Sequence, residues 1–157
     1  MNIFVLDRNT KKAVQMLCDA HVRKMCVETA QILSGVRLLR GMKLTEDMPQ
    51  PMNIKHPVII AAAKAENWVA EYNWDLHNEY YTRFGKWHQY KHLVVAYYKQ
   101  AECSGGDPDL LCKCCGDLDV TDMDIVTAYR KYYTEVKKLA LQDKNLWRFT
   151  GREDWAA

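Results

Sequence analysis

The sequence predicts an all-α fold, a compact single-domain bundle of four to five helices with a short extended N-terminal arm. Two observations carry this. Apolar residues recur at helical spacing, first at Val14, Leu17, Val22, Met25, Ile32, Val36 and Leu39, and again at Ile125, Tyr129, Tyr132, Tyr133, Val136 and Leu139. In addition, 157 residues with 48% hydrophobic and 27% charged side chains can bury one core and are too apolar for a disordered chain. All 157 residues are read as one domain, with residues 102–120 as a Cys/Gly/Asp-rich connecting segment.

Residues 1–7 alternate weakly between apolar and other side chains and form the arm. Asn9 or Thr10 caps a first helix that runs to about Arg40, where Gly41 offers a stop and Gly35 a bend or division. Pro49, Pro51 and Pro57 mark residues 41–57 as a loop. A second helical stretch, in one or two pieces, is expected from Val58 to Arg83, ended by Gly85, and a third over residues 86–101. After the connecting segment, Asp119 or Thr121 is expected to cap a last helix over residues 122–143. The tail from Asn145 to Trp155 shows no clear period.

Charge excludes little. With 22 basic and 20 acidic residues the formal net charge is +2, so only a local basic patch could mark a nucleic-acid partner. No apolar run approaches the roughly 20 residues of a membrane span, and the start does not read as a secretion signal. The expectation is a cytoplasmic protein with mostly reduced thiols. Cys18 and Cys26 fit core positions on the first helix. Cys103, Cys112, Cys114 and Cys115 cluster in the connecting segment, where a structural zinc is weighed against free thiols because the paired Cys-x-x-Cys spacing is missing.

The polar pattern is more informative. His21, Lys24, Glu28 and Gln31 are spaced three, four and three apart and share one helix face. An imidazole, a cation, a carboxylate and an amide in one stripe suit a ligand pocket, although a solvated face with a Lys–Glu pair explains the same spacing. Glu79, Arg83, Lys86 and His88 form a second set near a helix end, where the cations also suit the helix dipole. His56, held extended before Pro57, and the Tyr129–Arg130 pair are further candidates for binding a phosphate or a base. Two distant helices would then aim His21, Glu28, Arg83 and Lys86 into one common hollow.

Cys18-Asp19-x-His21-Val22-x-Lys24-Met25 with Glu28, His56-Pro57, Glu79-Tyr80-x-x-Arg83-Phe84-Gly85-Lys86-x-His88 and Ala128-Tyr129-Arg130-x-Tyr132-Tyr133 resemble a family of small, mostly uncharacterised bacteriophage proteins. A more distant similarity is to pyrimidine-dimer DNA glycosylases of the phage endonuclease V type. Asp19, His21 and Glu28 keep the spacing of that family's Asp-x-His and catalytic Glu, and Trp147-Arg148-Phe149-Thr150-Gly151-Arg152 is similar to its aromatic and basic C-terminal segment.

This second resemblance implies that Glu28 stabilises positive charge developing on a sugar, while His21 and nearby cations orient phosphate or base. On a duplex it also implies extrusion of the base. Asn2 after Met1 departs from the small residue whose exposed amine serves those enzymes as nucleophile, so glycosidic cleavage without strand scission is expected. Catalysis would fall to Glu28 and His21, with Asp19, Lys24, Gln31, His56, Glu79, Arg83, Lys86, His88, Tyr129 and Arg130 binding DNA or a nucleotide. The competing expectation is a phage factor that binds a nucleotide or a host protein without chemistry and counters host defence.

Overall fold

The computed structural model describes residues 2–51, 53–94, 106–151 and 154–157. Among them there is no β-strand, and the helices described from end to end are α1 (Thr10–Gln15), α2 (Asp19–Leu39), α3 (Pro57–Lys64), α4 (Glu66–Phe84), α5 (Ile125–Tyr132) and α6 (Leu139–Gln142). A π-helical stretch, Tyr133–Lys138, joins α5 to α6, and a 3₁₀ turn covers Pro108–Leu110. The all-α expectation holds.

The arm is not a surface strand. Ile3, Phe4, Val5 and Leu6 are all at most 2% exposed, so both of its faces are buried and the weak alternation is explained. The arm is pinned from α5, where Arg130 Nε donates to the Leu6 carbonyl at 2.7 Å and the Tyr129 hydroxyl donates to Asn2 Oδ1 at 2.7 Å.

The first predicted helix is broken at Met16–Cys18 rather than at Gly35. The cause lies far away in sequence. Arg83 Nη2 takes the Gln15 carbonyl at 3.0 Å and Nη1 takes that of Leu17 at 2.6 Å, drawing the chain out of helical register. Gly35 stays inside α2 because α3 crosses there. A Cβ at residue 35 would lie 2.7 Å from Ile59 Cδ1, so the glycine sets the closeness of this crossing.

The second stretch divides at Ala65, the C-cap of α3 and the N-cap of α4. Gly85 ends α4 in the left-handed region (φ 68°), as expected of a helix-stopping glycine. The third expected helix starts at residue 91 rather than 86, after turns at 85–90, and the rest of its expected span, 95–101, lies outside the described residues. The last helix begins at Ile125, capped by Asp124, which accepts from Val126 N and Thr127 N. Asp119 cannot cap it because its carboxylate is held by Thr121.

Helices α2 and α4 pack antiparallel. Thr29 Oγ1 meets Asn73 Oδ1 at 2.8 Å near the middle, and Asp19 meets Arg83 at the end. The core between them and the arm holds Leu17, Val22, Met25, Ile32, Val69, Tyr72, Leu76, Tyr129 and Tyr133, together with Cys18 and Cys26. Both of these cysteines are fully buried, as their helical spacing suggests.

Arg83 is the polar centre of this packing. Its side chain is 1% exposed and bonds Glu79 at 2.7 Å and Asp19 at 3.1 Å besides the two carbonyls. Truncating one partner of a buried ion pair strands the others and costs about 3–5 kcal/mol. Arg83→Met is therefore expected to lower unfolding stability by about that amount in a urea titration, whereas a loss under about 1 kcal/mol, typical of an exposed pair, would contradict this role.

Candidate active site

Helix α2 presents the polar stripe in two environments. Lys24 is exposed and its ammonium stands 3.3 Å from Glu28 Oε1, while the Glu28 side chain keeps 17% of its surface accessible. Gln31 follows on the same face, half-buried. His21, at the start of the stripe, is only 5% exposed. Its Nδ1 lies 2.8 Å from the Tyr133 hydroxyl and its ring lies 4.9 Å from that of Phe4. Burial, with the charges of Lys24 and Lys137, pulls the His21 pKa down to about 4, so the imidazole is neutral at pH 7.

Tyr133 is set by the π-helical stretch that it opens. Its hydroxyl also accepts from the Cys18 amide at 2.9 Å, joining the start of α2 to the end of α5. Tyr72 lies below the stripe, fully buried and stacked on Trp68 at 5.1 Å. The Tyr72 hydroxyl has no hydrogen-bond partner among the described residues, and burial raises its pKa, with the Cys26 and Glu28 charges adding to the effect. A tyrosine at helical spacing reads as core in sequence, so nothing there flags Tyr72, and Tyr133 enters only through the Ala128–Tyr133 motif of the resemblance.

The structure gathers Asp19, Glu79 and Arg83, but into the buried cluster described above. Asp19 Oδ1 also accepts from the amide and hydroxyl of Thr150, both at 3.0 Å, which brings the C-terminal tail onto the same cluster. Phe149 lies under the guanidinium at 4.9 Å. A cavity of about 580 Å³ opens beside this cluster, lined by Lys11, Gln15, Trp74, Asn78, Thr82 and Thr150 with Glu79 and Arg83.

The remaining candidates are scattered. His56 caps α3, its Nδ1 accepting from Val58 N at 3.2 Å. Lys86 is exposed after the α4 stop. His88 Nδ1 accepts from Tyr90 N at 3.2 Å, and its ring lies 5.3 Å from that of His77. The Tyr129 hydroxyl is enclosed by Asn2, the Cys112 carbonyl and the Cys114 amide. Arg130 pairs with Asp7 at 3.2 Å in addition to its bond with Leu6. Each of these contacts serves the fold directly.

Among the described residues no group of three or more His, Cys, Asp or Glu is arranged to hold a metal ion. Cys112 and Cys114 sulfurs lie 3.2 Å apart, while the Cys115 sulfur faces the Ala128 carbonyl at 3.9 Å. Cys103, the fourth member of the expected zinc set, lies outside the described residues, as does Arg152 of the tail motif.

With this geometry in view, the comparison with known proteins is decisive on family. The sequence profile of the pyrimidine dimer DNA glycosylase family matches residues 1–95, well over half of the chain. The chain belongs to that family. Membership places it among DNA-glycosylase-like proteins whose partner is DNA, and the matched span contains the arm, Asp19, His21 and Glu28. Neither a curated protein nor a solved structure shows significant similarity to it. No described helix is long and apolar enough to cross a membrane.

The buried imidazoles set an acid dependence. Among the described residues both ring nitrogens of His77 are without a partner, and its pKa is lowered to about 3, chiefly by burial. Unfolded, each histidine titrates near 6.5, so below that pH the unfolded chain takes up protons that the folded chain refuses until about 4 for His21 and 3 for His77. Stability should thus be intact above pH 6.5 and fall on acidification toward pH 4. His77→Leu removes one such group and its unpaired nitrogens. The expected result is a smaller drop in Tm between pH 7 and pH 5 with no loss at pH 7, and an unchanged drop would refute it.

Proposed function

We propose that this protein hydrolyses the N-glycosidic bond of a damaged or modified base in DNA, with Glu28 as the catalytic carboxylate. The observation that carries this reading is the allocation of acids. Asp19 and Glu79 are spent on Arg83, whereas Glu28 stays partly accessible beside an exposed lysine, at the distance from His21 that the sequence resemblance implies for a catalytic acid.

The chemistry follows from that position. As the bond to the base lengthens, positive charge develops on the sugar, and a fixed carboxylate lowers the energy of that state more than that of the bound substrate. Glu28 would supply this charge and direct a water to the sugar carbon. Lys24 would hold the carboxylate and meet a neighbouring phosphate. His21, neutral and enclosed, acts as a positioning residue that ties α2 to the arm through Phe4 and to the π-helical stretch through Tyr133. On a duplex the base must first leave the stack. The expected product is an abasic site. A phage origin and action in the cytoplasm of an infected cell are part of the proposal, carried over from the sequence resemblance.

The test is Glu28→Gln, assayed on duplexes carrying a pyrimidine dimer or a modified base. Loss of a preorganised electrostatic group typically lowers kcat by 10² to 10³, and abasic-site formation is expected to fall by about that factor. Equal processing by parent and variant would overturn the assignment. The competing role, clamping a nucleotide or host protein without chemistry, predicts ligand recovered unchanged. It draws less support, because Arg83 spends four of its five N–H donors inside the fold.

A further inference from the structure

The loop after the 3₁₀ turn carries a feature that glycosidic chemistry does not use. Cys112 and Cys114 flank Lys113, and the Cys114 amide donates to the Cys112 carbonyl at 3.2 Å. Such an i to i+2 turn carries the two side chains toward each other. The sulfurs lie 3.2 Å apart, half-buried and so open to small solutes. Lys113 is anchored on the other side, its ammonium donating to the carbonyls of Val120, Thr121 and Met123 at 2.9, 3.1 and 2.9 Å. The neighbouring thiols do not compete. Cys115 is buried against Ala128, and Cys18 and Cys26 are sealed in the core.

The same loop holds the start of the chain. The Cys114 carbonyl accepts from Asn2 Nδ2 at 2.6 Å, and the Tyr129 hydroxyl sits between Asn2, the Cys112 carbonyl and the Cys114 amide.

We propose that Cys112 and Cys114 are a site of reversible oxidation, closing a disulfide across Lys113 in the loop that holds Asn2 to α5. The oxidant is a low-molecular-weight disulfide such as oxidised glutathione. The Cys114 thiolate attacks one sulfur of that disulfide and expels the first thiolate, leaving a mixed disulfide. Cys112 then loses its proton, attacks the Cys114 sulfur and expels the second thiolate. Two protein thiols and one small disulfide become one protein disulfide and two small thiols, so electrons and protons balance. The order follows from the pair's hydrogen bond. The contact between the two sulfurs brings the Cys114 pKa down to about 7 and raises that of Cys112, so Cys114 is the attacking thiolate.

The experiment uses the purified full chain in glutathione buffers of graded redox poise, quenched with an alkylating agent and read by intact mass and peptide mapping. The expected result is one two-electron transition in which Cys112 and Cys114 lose alkylation together, absent in Cys112→Ser and Cys114→Ser and retained in Cys115→Ser. Thiols at 112 and 114 that persist in oxidised glutathione would overturn the proposal. So would a stable glutathione adduct, a disulfide to Cys103 or Cys115, or zinc that co-purifies and blocks alkylation. The readout is independent of base release, so it fails or succeeds apart from the glycosylase reading.

Discussion

One guanidinium organises this molecule. Arg83 is buried, and a buried charge is tolerable only when its donors are met. They are met from three places in the chain, by Glu79 one turn earlier on α4, by Asp19 at the start of α2, and by the carbonyls of Gln15 and Leu17 between α1 and α2. Those two carbonyls are free to accept only because the helix is interrupted there, so the ion pair and the break require each other. Asp19 in turn takes Thr150, and its amide donates to the Arg148 carbonyl at 2.8 Å, which fixes the tail. The relative placement of α1, α2, α4 and the tail thus rests on one charge.

This explains which parts of the fold were legible in the sequence. Helical periodicity, the Gly85 stop and the proline-rich loop are local signals, and they hold. The interruption after Gln15 is imposed by a residue 68 positions later, a relation no local pattern encodes. The cap of the last helix shows the opposite limit. Asp119, Thr121 and Asp124 are all plausible by type, and the choice falls to Asp124 because Asp119 and Thr121 satisfy one another. The burial of the arm on both faces was hidden for a related reason, since a short apolar segment states that it is buried but not between what.

For the site, residue type was a poor guide and spacing a better one. His56, His88, Tyr129 and Arg130 have the chemistry of ligand contacts, yet each meets a backbone or side-chain need of the fold, which any site hypothesis must first exclude. The spacing from Glu79 to Arg83 did foretell their ion pair, and that from Lys24 to Glu28 theirs. What spacing could not reveal was that the first pair is sealed and the second is open, because exposure is decided by the third partner, Asp19, from another helix.

Helix geometry shows why the expected single hollow becomes two regions. Asp19 and Glu28 are nine residues apart, and at about 100° per residue they point to opposite sides of α2. An acid on the Asp19 side meets Arg83 and the tail, where it shares the buried cation with Glu79 and the helix N-terminus adds its own favourable potential. An acid on the Glu28 side meets, among the described residues, a lysine from the same helix that is itself in solvent. His21, seven residues before Glu28, returns to nearly the same side and places its neutral ring where the arm crosses. The different surroundings of the two acids, one sealed on Arg83 and one open beside Lys24, are therefore written in the register of one helix, and moving either acid by two residues would exchange its side.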